Sequence, residues 1–200
     1  MTDSVAVGIH VAEYESLRRE IETRATLSSS LIALELSALG FGLAAAQTRI
    51  DLYAGLAFLS IIFWLFWLDH TEQIWKMATY IAIRLRPTLA RMAPGALGWE
   101  PFLRELDRKL VRSKNSAATY VTLLFASVPP LLAIAYAVRA ALARPHVDTT
   151  MTARFCGALA ILAFWAFALD QFRRFTHSRS QMDGWISDPE SYPKDGPLKQ

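Results

Sequence analysis

The stretch L-Y-A-G-L-A-F-L-S-I-I-F-W-L-F-W-L-D occupies Leu52 to Asp69. From Ile61 to Leu68 no polar residue appears on any face. An apolar helix of a water-soluble bundle keeps a polar stripe. This stretch has none, and bilayer is its natural solvent. A helix of about 20 mostly apolar residues crosses a hydrocarbon layer about 30 Å thick. Residues 52–68 form one such block. Three others follow the same logic: 27–47, 117–142, and 155–169, the last extendable to Phe172. The first of these carries several serines and Glu35. The spacing predicts an all-α fold with four transmembrane helices in two hairpins.

Composition supports this more through its distribution than through its average. Hydrophobic residues make up 53% of the 200, with 6 Trp and 11 Phe, and the charges lie between the apolar blocks. A net charge of +3 is too small to argue for nucleic acid, and neither stacking nor zinc-ligand patterns occur. No nucleic-acid partner, metal or cofactor is expected. Cys156 is the single cysteine and has no intramolecular partner. The first apolar run begins after a charged segment, an arrangement unlike a cleavable signal peptide.

Lysines and arginines set the orientation. Seventeen of the 21 lie before the first span, between spans two and three, or after the fourth. Only Arg49, Arg139, Arg144 and Arg154 fall at the two remaining loops. The positive-inside rule then places both termini and the middle loop in the cytoplasm. The organisation is an amino-terminal amphipathic helix (1–26), a first transmembrane hairpin (27–69), a cytoplasmic helical hairpin (70–116), a second transmembrane hairpin (117–172) and a tail (173–200).

Spans two and four end alike, in F-W-L-F-W-L-D at 63–69 and F-W-A-F-A-L-D at 164–170. Both run outward to inward. Aromatic residues favour the membrane interface, and Asp69 and Asp170 then mark where headgroups and water begin. An internal repeat of two hairpins is the alternative, although spans one and three show no matching similarity.

The flanking segments are helical by pattern. Tyr14, Leu17, Ile21, Ala25 and Ser28 form a narrow seam. Beyond Asp69, Ile74, Met77, Ile81 and Leu85 share a face, with no breaker before Pro87. Span two is therefore expected to continue into the cytoplasm. A turn at 92–98 precedes a charged helix from Trp99 to Asn115, with Phe102, Leu106 and Leu110 as its stripe. This helix either joins a cytoplasmic bundle or lies on the membrane surface. The segment 182–200, rich in Pro, Gly and Asp, reads as an irregular tail.

Three motifs carry a resemblance: E-Y-E-S-L-R-R-E-I-E-T-R (13–24), W-L-D-H-T-E-Q-I-W-K-M-A-T-Y-I (67–81) and G-W-E (98–100). Together they resemble a broad group of small bacterial multi-span membrane proteins, over about the first 100 residues. The resemblance implies a charged helix leading into a two-helix hairpin and a cytoplasmic helix. It implies residence in a bacterial cytoplasmic (inner) membrane and brings no catalytic residues. More loosely, the layout is similar to membrane effectors of bacterial anti-phage systems, an analogy of architecture alone.

Glu35 is the foremost candidate for chemistry. It lies roughly 12 Å into its span at about 1.5 Å per residue. An ionised carboxylate is costly there, and such residues face protein or water. Ser60 and Ser127 lie at similar depth, as do the Phe125 and Ala126 carbonyls, which Pro129 and Pro130 leave without helical donors. Glu35 either serves an ion or proton pathway or a gate, or fastens two helices as a neutral acid. Ala33, Ser37, Gly40 and Ala44 make a small-residue stripe for close helix approach, within the chain or between subunits. Asp69, His70 and Asp170 are boundary residues. His10, His70, His146 and His177 lack metal-ligand spacing, and no hydrolase, phosphate-loop or zinc-protease motif occurs.

The expected function is non-enzymatic. One reading is an oligomeric membrane protein acting on the bilayer as a pore or defence-type effector. Another is a membrane anchor or scaffold that docks a cytoplasmic protein partner. A membrane-embedded enzyme or transporter subunit is the least supported, since one buried acid offers little for alternating access.

Overall fold

The computed structural model describes residues 2–92, 115–143, 149–187 and 192. Helix α1 spans Thr2–Ala46 and α2 spans Asp51–Tyr80. A π-helical turn, Ile81–Leu85, leads into α3, Arg86–Met92. Helix α4 spans Asn115–Ala143 and α5 spans Thr149–Ser187. No strand occurs among the described residues. Among the described residues, four helices are long and apolar enough to cross a membrane.

The chain divides into two compact units. One draws its described residues from Leu27–Asp69 and Arg112–Arg173. In this apolar unit, α2 buries Tyr53, Ala57, Ser60, Ile61, Trp64 and Leu68. Helix α4 buries Phe125, Pro129, Leu132, Ala133, Tyr136 and Ala140. The two sets share one spacing (4, 3, 1, 3, 4), the stripe of a helix whose single face meets neighbours. Helix α2 is the most enclosed span, with 33% of its apolar window buried against 11% for α1. Its rings reach two other helices: Trp67 lies 6.0 Å from Phe125 on α4, and Trp64 lies 5.8 Å from Phe172 on α5. Phe58 stacks on Phe164 at 5.1 Å.

The matched runs also contribute packing and a hydrogen bond. Trp64 is fully buried, and its counterpart Trp165 donates from Nε1 to the Ala126 carbonyl at 2.9 Å. Phe66 and its counterpart Phe167 are exposed. Asp69 and Asp170 are exposed as well. Equivalent positions thus alternate between packing and outward-facing roles in both runs.

The second unit, the charged unit, draws on Met1–Thr26, His70–Val111 and Arg174–Gln200. Ile81, Leu85 and Leu89 are buried together, and Tyr14, Leu17 and Ile21 pack on them. The amino-terminal seam is therefore occupied within the chain. Tyr80 donates to Glu13 Oε1 at 2.7 Å, and Arg179 lies 4.6 Å above the Trp75 ring.

Helicity continues past Pro87 to Met92, with the Arg86 N–H bonding Ile81 O five residues back. That wider turn places Pro87 in the first turn of α3, where its missing donor is tolerated. One expectation is corrected here: the segment after Asp170 is helical and not a loose tail. Helix α5 continues to Ser187, burying Phe175 and Met182 seven residues apart, and no proline intervenes before Pro189. The expected charged helix at 99–115 falls, but for Asn115, outside the described residues, as does the Gly98-Trp99-Glu100 motif.

Candidate functional site

The site is built where α1 faces α2. Short turns at 45–53 join the two helices, with Thr48 N–H bonding Ala45 O and Tyr53 N–H bonding Ile50 O. The inward seam of α1 runs through Ser28, Glu35 and Gly42, seven residues apart, and on to Ala46. Gly42 lies so close to α2 that an added Cβ would stand 2.4 Å from Leu56 Cδ2. Glycine at that position lets the backbones approach, which carries Glu35 into the interior.

Glu35 and Ser60 are each only 1% exposed. Ser60 Oγ donates to Glu35 Oε1. Two further buried polar atoms lie in the same unit, Ser28 Oγ and Trp64 Nε1, and neither has a hydrogen-bond partner among the described residues. Ser127 does not join this group. It is exposed and donates to the Leu123 carbonyl of its own helix at 2.6 Å. The Ala126 carbonyl is taken by Trp165, so the proline-freed acceptor is satisfied by an indole.

The stripe of Ala33, Ser37, Gly40 and Ala44 faces outward. Nothing stands within 4 Å of a Cβ added at Gly40. Ser37 Oγ donates to the Ala33 carbonyl. Close approach inside the chain uses Gly42 and leaves the stripe free of it. His70 Nδ1 lies 3.5 Å from an Arg24 nitrogen, and Arg24 also pairs with Glu20 at 2.7 Å.

At the opposite end of the apolar unit, three helices meet on one carboxylate. Arg154 of α5 donates to both Asp51 oxygens, at 3.0 and 3.2 Å, and Tyr136 of α4 reaches Asp51 Oδ1 at 3.4 Å. Asp51 opens α2, where a negative charge also complements the helix dipole. Sequence reasoning had not singled out this tie. Its signal is an acid and a base each placed just before an apolar block, at two spans that start at the same end.

The charged unit holds a cavity of about 720 Å³. Thr79, Tyr80 and Ile83 line one wall, and Gln181, Met182 and Trp185 the other. Trp185 meets Tyr192 edge-on at 5.3 Å, and Arg84 lies 5.8 Å from the Tyr192 ring. Its size falls among ligand-sized clefts. Among the described residues no group of three metal-ligating side chains occurs.

No protein-family model matches the chain, and neither the curated proteins nor the solved structures yield a match.

Proposed function

We propose that the chain is a non-enzymatic, multi-pass protein of a bacterial cytoplasmic membrane that self-associates and acts on the bilayer, as a pore or defence-type effector. Its four spans form two hairpins with both termini in the cytoplasm. The observation that carries this reading is the outward stripe Ala33, Ser37, Gly40 and Ala44 on α1, the least buried span. Small residues let helices of neighbouring subunits approach where lipid would otherwise lie. The amino-terminal seam adds nothing to it, since Tyr14, Leu17 and Ile21 are already packed.

Native mass in nanodiscs, paired with dye release from liposomes, tests the proposal. An oligomer that releases dye supports it. A monomer at all protein-to-lipid ratios defeats it. A Gly40→Ile variant separates association from folding, since the site is open within the chain.

The cavity in the charged unit favours a second reading, a membrane anchor that docks a cytoplasmic partner. Bulky replacement of Ile83 would then abolish partner capture and leave dye release unchanged.

A further inference from the structure

We infer that Glu35 is a proton-exchange site open to one end of its span only, the end at Leu27 and Asp69, through water held by Ser28 and Trp64. The inference stands apart from self-association, because every group in it lies on the inner faces of α1 and α2.

Polar and apolar groups are distributed unequally about Glu35. Toward the Leu27 end, Ser28 lies seven residues back on α1, about 10 Å at the helical rise. Trp64 lies one turn beyond Ser60 on the same face of α2. Ser28 is 9% exposed and Trp64 is 0% exposed. Their polar atoms have no hydrogen-bond partner among the described residues. Buried polar groups in native proteins are satisfied, and where protein supplies nothing, water does. The serine hydroxyl both donates and accepts, so it passes a proton along. The indole only donates, so it anchors a water and does not relay.

Toward the other end the same interface is apolar. Gly42 is closed against Leu56, and Ala46 and Ala57 are buried. The hydroxyl of Tyr136 is committed to Asp51, and Tyr53 sits in the first turn of α2. Among the described residues, no series of buried polar groups leads from Glu35 to that end. A carboxylate this deep needs protein or water to hold its charge, and here both lie to one side.

Among the described residues, the apolar stretches of these helices carry no other charged group. Glu35 is the only ionisable residue of α1 between Arg24 and Arg49. Helix α2 has none between Tyr53 and Asp69, and α4 none between Tyr120 and Tyr136. Helix α5 has only Cys156 between Arg154 and Asp170.

The test uses the full chain in sealed liposomes and reads the infrared carboxyl stretch of protonated Glu35. The Glu35→Gln variant assigns the band. Should that variant misfold, Ser60→Ala assigns it by the shift on losing the serine hydrogen bond. An impermeant amine reagent on exposed Lys76 measures the fraction of molecules with the Asp69 end outward. The fraction of the band that follows an external pH step should equal that fraction. Trp64→Phe should slow the response about fivefold, the effect of losing one hydrogen-bonded water. A band that responds in all molecules, in none, or is absent at every pH overturns the inference. So does an unchanged rate in Trp64→Phe together with Ser28→Ala.

Discussion

Trp165 Nε1 donates to the carbonyl of Ala126 at 2.9 Å, the acceptor that Pro130 deprives of its helical N–H. Helix α4 thus keeps two prolines in its apolar stretch with the aid of an indole from α5. The bond links sequence to packing directly: proline removes a donor, and a neighbouring helix restores one. Trp165→Phe should cost about 1–3 kcal/mol by leaving that carbonyl unpaired. In a Pro130→Ala background the intrahelical donor returns, and the same substitution should cost clearly less. A double-mutant cycle on detergent unfolding measures the difference. Equal costs in both backgrounds would show that the bond does not serve the proline.

Gly42 and Gly40 should behave oppositely, although both sit on α1. A side chain at Gly42 runs into Leu56 on α2, whereas one at Gly40 meets nothing. Gly42→Ala meets the Cδ and Cγ atoms of the Leu56 side chain, which can shift to another rotamer, so it should cost less than a larger residue. Gly42→Ile should destabilise the chain by about 1–3 kcal/mol through overpacking. It should also weaken the Glu35–Ser60 bond two turns away. Gly40→Ile should leave stability unchanged and lower the association state. Unfolding midpoints and native mass, read together, separate the two glycines.

Much of the fold follows from period and composition, and the exceptions have physical causes. The four apolar stretches are helical, and α1 runs unbroken from the charged segment into its span, because no breaker lies between Thr2 and Ala46. Ile81, Leu85 and the Tyr14 seam were recognisable as stripes, and they pack on each other. The extension of α5 was hidden by composition: Gly184 and Asp183 resemble a loop, yet Phe175 and Met182 supply a buried seam that overrides propensity. The π-turn left no local mark. Glu35 was legible from its charge alone, and its Ser60 partner from depth. Its separation from Ser127 was not, because depth says nothing about which way a side chain turns around its helix.

The cluster beneath the amino-terminal helix should be the least forgiving part of the charged unit. Leu85 is 2% exposed and touches the seam of α1 through its cluster. Leu85→Ala should cost about 2–5 kcal/mol, the range for a buried leucine. Hydrogen exchange should show lost protection in residues 14–21 as well as around Leu85. Protection confined to the mutated turn would mean that the two segments are not packed in solution.

Tyr80 provides a titration in the charged unit. Its phenol pKa is raised above the ordinary value, chiefly by donating to the Glu13 carboxylate, with burial and the Glu13 charge adding to it. Raising an acid's folded pKa means that the folded state favours the neutral phenol. The associated stability is full below the unfolded pKa of about 10 and fades as pH rises through the higher folded value. Because Tyr80 is 43% exposed, the effect on stability should be small. Glu13→Gln should lower the Tyr80 pKa, read as the ultraviolet titration difference from a Tyr80→Phe control. An unchanged titration would place the phenol away from Glu13.

Asp51 gathers α4 and α5 onto the first turn of α2 through Tyr136 and Arg154. The pair is bidentate, and an Arg fork matches a carboxylate in a way that lysine does not. Arg154→Lys should therefore weaken the tie while keeping its charge. Asp51→Asn should loosen the same end, because only one oxygen then remains to accept from Arg154 and Tyr136. The exchange Asp51→Arg with Arg154→Asp should recover part of the loss, but not all, since an arginine at the start of α2 opposes the helix dipole. Tyr136 would also then face a guanidinium, which offers it no acceptor. Crosslinking yield between cysteines placed at Leu52 and Thr152, in a Cys156→Ala background, follows the closeness of the two helix starts. The order wild type, exchange, Arg154→Lys, Asp51→Asn is expected. Equal yield across the series would show that apolar packing alone holds this end closed.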